Sequence, residues 1–173
     1  MAVPDGIDLA RHRDLVGRRR DVWVRRGALG LIAAVLVVAL LNFFGQRPST
    51  VSATAPQAKL SLYAPTHLRS GLYFEARFHI NAHAEIKNAI LVLGSGWFEG
   101  ITVNTIEPSP VDEASRNGKI ALTLGHIPAT HSHILFIQAQ VNPTNVGRRA
   151  QNVWLYDGDR LLAKLDRMVT IFP

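Results

Sequence analysis

Two textures divide the chain. From residue 27 to residue 45, GALGLIAAVLVVALLNFFG, nineteen positions run without a charge. From residue 59 onward, apolar and polar positions alternate in short bursts separated by Gly, Pro, Asn and Asp. The first texture predicts a helix of about 28 Å, close to the hydrocarbon thickness of a bilayer. Trp23 stands just before it and Phe43 and Phe44 at its far end, where aromatic rings favour the membrane interface. Asn42 is its only strongly polar residue. A secretory signal would need an apolar core of about 7 to 15 residues and a small-residue cleavage site close behind it. Here the core is over-long, and the best cleavage sequence, Ala53-Thr54-Ala55, lies well beyond Phe44. Arg18-Arg19-Arg20 invites a twin-arginine reading, but Asp21-Val22-Trp23-Val24 fits that signal poorly. The expectation is an uncleaved transmembrane anchor over 27 to 45.

The second texture predicts strands. Phe74, Ala76, Phe78 and Ile80 alternate with Glu75, Arg77, His79 and Asn81, a period of two with one face buried. Further runs at 59 to 63, 86 to 93, 98 to 106, 119 to 124, 133 to 141, 152 to 156 and 161 to 172 complete eight expected strands with no helical period between them. Asp157-Gly158 and Asn117-Gly118 read as hairpin turns, because such turns need positive φ. Residues 46 to 58, QRPSTVSATAPQA, read as a flexible or semi-extended tether rich in Pro, Ser, Thr and Ala. The chain thus divides into a basic tail (1–26), the anchor (27–45), a linker (46–58) and an all-β sandwich (59–173).

Charge sets the orientation. Residues 1 to 26 carry seven arginines against four aspartates, whereas only Arg47 and Lys59 follow soon after the apolar run. The excess of Lys/Arg marks the cytoplasmic side, so the sandwich is expected outside the cell membrane. The overall charge of +6 divides equally between tail and outer part, and the outer share is spread along the sequence. A nucleic-acid site needs a concentrated basic face, so that class of partner is set aside. The basic tail fits contact with anionic lipid headgroups instead. The chain contains no cysteine. The domain must therefore rest on core packing. It also has no glycosylation sequon, since Asn142 is followed by Pro143. Both features fit a bacterial envelope.

Two stretches carry a resemblance. GLYFEARFHI at 71 to 80 and LGHIPATHSHILFIQAQVNP at 124 to 143 resemble bacterial surface and periplasmic immunoglobulin-like or fibronectin-like domains. Thr130 and His131 depart from that pattern, standing where such turns often carry Gly. The resemblance implies an immunoglobulin-like β-sandwich and, for such domains, adhesion, spacing or subunit contact.

Several residues invite chemistry. His131 and His133, two apart on an expected strand, share a face, and His126 can approach across the turn, giving a possible Cu or Zn site. Solvent-facing histidines are the plainer alternative. Ser132 between two histidines lacks the strained elbow of a hydrolase. Glu107, Asp112 and Glu113 fall in EPSPVDEASRNG, which reads as a loop. The glycines of GSGWFEG have the wrong spacing for a dinucleotide loop and no helix after them. Trp97 and Phe98 either pack inward, closing the end of a sandwich, or protrude to anchor a partner. Trp154 and Tyr156, on one strand face, read as core. The sum is a non-enzymatic, single-pass membrane protein without a cofactor. Its outer sandwich contacts another membrane or envelope protein as an accessory subunit, with metal binding by the histidines as the alternative.

Overall fold

A computed structural model describes residues 19–41 and 46–173, which form two separate units. Most of the basic tail, together with Asn42, Phe43, Phe44 and Gly45, lies outside the described residues.

The first unit is a helix, α1 (Arg19–Leu40), of 22 residues. At 1.5 Å per residue it is about 33 Å long. It is apolar around its whole circumference beyond the first two turns, and none of it is buried by protein. Its length and composition suffice to cross a bilayer. At its basic end the Arg26 guanidinium lies 5.5 Å from the Trp23 ring centre, as i,i+3 spacing on a helix allows.

The second unit is all β. One sheet runs in the order β1 (Pro48–Thr54), β2 (Ala58–Pro65), β4 (Tyr73–Ala82), β9 (Ser132–Val141), β6 (Ile101–Glu107). The other runs β12 (Arg160–Leu165), β11 (Val153–Asp157), β5 (Ile86–Leu93), β8 (Lys119–Ile127), β7 (Asp112–Arg116). A small third sheet joins β10 (Gly147–Ala150), β13 (Met168–Phe172) and β3 (His67–Arg69), with β13 and β3 parallel. The two large sheets make an immunoglobulin-like sandwich around one core.

Alternation places that core. In β4 the side chains of Phe74, Ala76, Phe78, Ile80 and Ala82 are buried while Tyr73, Glu75 and Arg77 are exposed. Leu60 and Leu62 of β2, Leu135 and Ile137 of β9, and Leu91 and Leu93 of β5 complete the same layer. Each buried Leu, Ile or Phe side chain among these contributes about 1.5–3 kcal/mol through removal from water. The Asn117-Gly118 and Asp157-Gly158 turns are present, with φ of 53° and 69° in the first and 56° at Gly158.

The tether expected over 46 to 58 is instead largely β1, paired antiparallel with β2 from Pro48↔Pro65 to Thr54↔Lys59. Val51 and Ala53 turn toward the core and Pro48 occupies the first position of an edge strand, where no ladder donor is needed. Ser and Thr disguise this weak period of two. The loop expected around Asp112 and Glu113 is β7, held by β8 through Asp112↔Thr123 and Glu113↔Leu122. The run at 161 to 172 is two strands in different sheets, β12 and β13.

Arg167 sits at that change of sheet, 5% exposed. Its Nη1 donates to Gln151 Oε1 at 3.1 Å, and its Nη2 donates to the carbonyls of Ala64, at 3.0 Å, and Pro65. Burial pushes its pKa down to about 10. These bonds satisfy both terminal nitrogens of the buried cation and fasten the β12–β13 crossing to the end of β2, while Nε finds no hydrogen-bond partner among the described residues.

Candidate functional site

Trp97 and Phe98 follow Gly94-Ser95-Gly96 where the chain leaves β5 for β6. Ser95–Trp97 forms a short 3-10 turn that aims the indole inward. Trp97 is 2% exposed, and its ring centre lies 5.4 Å from that of Phe78 at a tilted 52°. Phe98 is partly buried against the same core. Of the two alternatives, inward packing is the one present, and a partner-binding role for Trp97 is corrected. The turn is tight for a local reason: a Cβ on Gly96 would stand 2.3 Å from the Ala150 carbonyl oxygen. Asn145 braces it, with Nδ2 donating to the carbonyls of Glu99 at 3.0 Å and Gly100 at 2.9 Å.

The three histidines do not come together. His126, on β8 of the second sheet, engages Glu85 through Nε2 at 2.9 Å. His131 precedes β9 in the first sheet, its Nδ1 3.0 Å from the Ala129 carbonyl. His133 lies opposite Ile80 on the inward side of β9, and its Nε2 is buried without a protein hydrogen-bond partner. Burial holds its pKa below the usual histidine value. Among the described residues, no three His, Asp or Glu side chains form a group able to hold a metal. The metal site expected from His126, His131 and His133 is therefore corrected: two strands of different sheets separate what sequence proximity suggested. The turn between β8 and β9 does hold a left-handed residue, Thr130 at φ 63°, where the resemblance expected Gly. Its N–H donates to the Ala82 carbonyl at 2.8 Å, which fixes that conformation.

What the sequence placed in the core lies outside. Within β11, Val153 and Leu155 are fully buried, while Trp154 and Tyr156 are only partly covered on the opposite side. The ladder brings Val92 and Ala121 beside Trp154, and Ile90 and Thr123 beside Tyr156. The outward side of the second sheet thus carries an apolar strip where a solvated sheet face would be polar. Ile90, Val92, Ala121 and Tyr156 line a cleft there of about 360 Å³, bordered by Asn117, Lys119 and Asp159. The Lys119 ammonium lies 4.3 Å from the centre of the Trp154 ring, a cation–π contact that fixes the ring's orientation. The signal was in the sequence: Ala89 to Leu93 is apolar at every position, too much for a strand with one wet face.

No protein-family model matches the chain, and no curated protein matches it. Solved structures do. A CARDB domain from Pyrococcus furiosus, in complex with di-metal ions, shares 11% identity over 72% of this chain and 88% of its own, with a TM-score of 0.41. A non-cellulosomal cohesin from Archaeoglobus fulgidus shares 12% over 73% and 92%, at 0.43. CaCohA2 from Clostridium acetobutylicum shares 14% over 69% and 93%, at 0.46. These likenesses concern the fold.

Proposed function

We propose that the chain is a non-catalytic, single-pass membrane protein whose extracytoplasmic sandwich contacts another envelope protein through the outward side of its second sheet. The observation that carries this reading is the apolar strip of Ile90, Val92, Trp154 and Tyr156, on a face with no covering layer of its own among the described residues. Half-covered Trp and Tyr side chains bordered by a lysine have the composition of protein contact surfaces. The helix α1 supports the anchor, and the seven arginines before residue 27 support a cytoplasmic N-terminus and an external sandwich. In this reading the protein is an accessory subunit of a membrane assembly.

The test is extraction of tagged full-length protein from its native membrane in mild detergent. A stoichiometric partner is expected to co-purify, and Val92→Asp with Trp154→Ala is expected to release it while α1 still inserts. Recovery of the same partner with the double variant, or of no partner with the unaltered protein, contradicts the proposal.

A further inference from the structure

The two flanks of the sandwich are built differently. On one, β1 and β12 come into contact and close the space between the sheets. On the other, β6 and β7 stand apart around a cleft of about 450 Å³, with Phe98, Val103, Ile106 and Ile120 as its apolar floor and polar side chains of β6 and the 109–110 turn on its walls. A bulge shapes that floor. The ladder of β6 with β9 shifts between Val103 and Thr105, leaving Asn104 as the extra residue. The shift puts Val103 and Ile106, three apart, on the same inward side, which a regular period of two would forbid. Both are partly buried.

The same flank leaves an edge open. In the first sheet β6 has β9 on one side and no strand on the other among the described residues. Edge strands are commonly protected by Lys, Pro, bulges, inward-pointing charges or covering elements. β12 carries Arg160 and Lys164, and β1 begins with Pro48 and meets β12. β6, ITVNTIE, has neither Lys, Arg nor Pro, and its one protecting feature is the bulge at Asn104, which leaves the stretch from Thr105 to Glu107 in regular register. Facing it, Glu113 of the neighbouring edge β7 pairs with the fully buried Leu122, and so stands on the inward side of its strand, at the mouth of the cleft. It has no ion-pair partner among the described residues.

From this geometry we infer that the β6 edge accepts an extended segment of a partner protein as an added strand, its apolar side chains entering the cleft and a Lys or Arg meeting Glu113. Free N–H and C=O groups along β6 supply the ladder, the apolar floor selects alternate side chains, and the carboxylate selects charge. A second copy of this chain fits poorly as occupant, because its own β6 and β7 would bring Glu107, Asp112 and Glu113 against the same groups. This site is separate from the Trp154 face, and either can fail without the other.

The experiment uses the full chain in lipid nanodiscs and two short soluble peptides of alternating Val and Thr, one ending in Lys at both ends and one in Glu. Fluorescence anisotropy is expected to show saturable binding of the Lys peptide and binding of the Glu peptide weaker by about fivefold or more. Glu113→Lys, an exposed change, is expected to reverse the order. Amide exchange is expected to slow within β6 when the Lys peptide binds, and N-methylation of alternate peptide amides to abolish binding. Equal affinity for both peptides, no change of order in Glu113→Lys, slowed exchange confined to other strands, or self-association that protects β6 without peptide would each overturn the inference.

Discussion

Two aromatic pairs make opposite use of the same side chains. Trp97 and Phe98 follow a glycine-rich turn, a place where large rings often protrude, yet the indole of Trp97 fills the end of the core against Phe78. Trp154 and Tyr156 sit on a strand inside the sheet, yet they look outward, with Lys119 over the indole. The difference lies in what the neighbours do. At the turn, Gly96 lets the backbone press against Ala150, so the indole is carried inward. On β11 the inward side is already taken by Val153 and Leu155, and alternation sends the rings out. An aromatic residue is thus placed by the phase of its strand or the closeness of its turn, and composition alone is a poor guide.

This contrast can be broken from the inside first. Trp97→Ala leaves a cavity beside Phe78 and is expected to cost about 3–5 kcal/mol, read as a lowered denaturation midpoint by circular dichroism. Gly96→Ala forces backbone apart at Ala150, where no flexible side chain can yield, and is expected to cost about 1–3 kcal/mol in the same assay. The next effect is smaller and depends on pH. Burial lowers the pKa of His133 in the folded chain, so between the ordinary value of 6.5 and the folded one the unfolded chain binds a proton that the folded chain refuses. Stability is expected to fall as pH falls through that window and to be insensitive to this residue above it. His133→Leu is expected to remove that dependence, and denaturation curves across the window check it. The smallest change in stability belongs outside: Trp154→Ala is expected to shift it by about 1 kcal/mol or less while weakening partner association in detergent extracts.

How much of this was legible in the sequence follows from the strength of each period. β4 and β9 alternate cleanly and are found where the pattern puts them. β1 was hidden because Ser and Thr fill its outward positions and small Val51 and Ala53 its inward ones, a texture shared with linkers. β7 was hidden because an edge strand tolerates Asp112 and Glu113 on its outer and inner sides alike. The histidines misled for a different reason. The turn between β8 and β9 changes sheets, so three residues close in sequence end on two sheets, a fact no spacing reveals. The apolar strip on the second sheet was legible in principle in the unbroken run Ala89 to Leu93. Its significance depended on knowing that Trp154 and Tyr156 share that side.

If the outward aromatic pair is a contact surface and the turn pair is core, the two must differ in what shields them from solvent. Hydroxyl-radical oxidation, mapped by mass spectrometry on native membranes and again on purified full-length protein, tests that difference directly. Trp97 is expected to be unreactive in both samples, while Trp154 and Tyr156 are expected to be shielded in the membrane and to become reactive once the protein is purified away from its partner. Equal reactivity of Trp154 and Tyr156 in the two samples would contradict the contact surface.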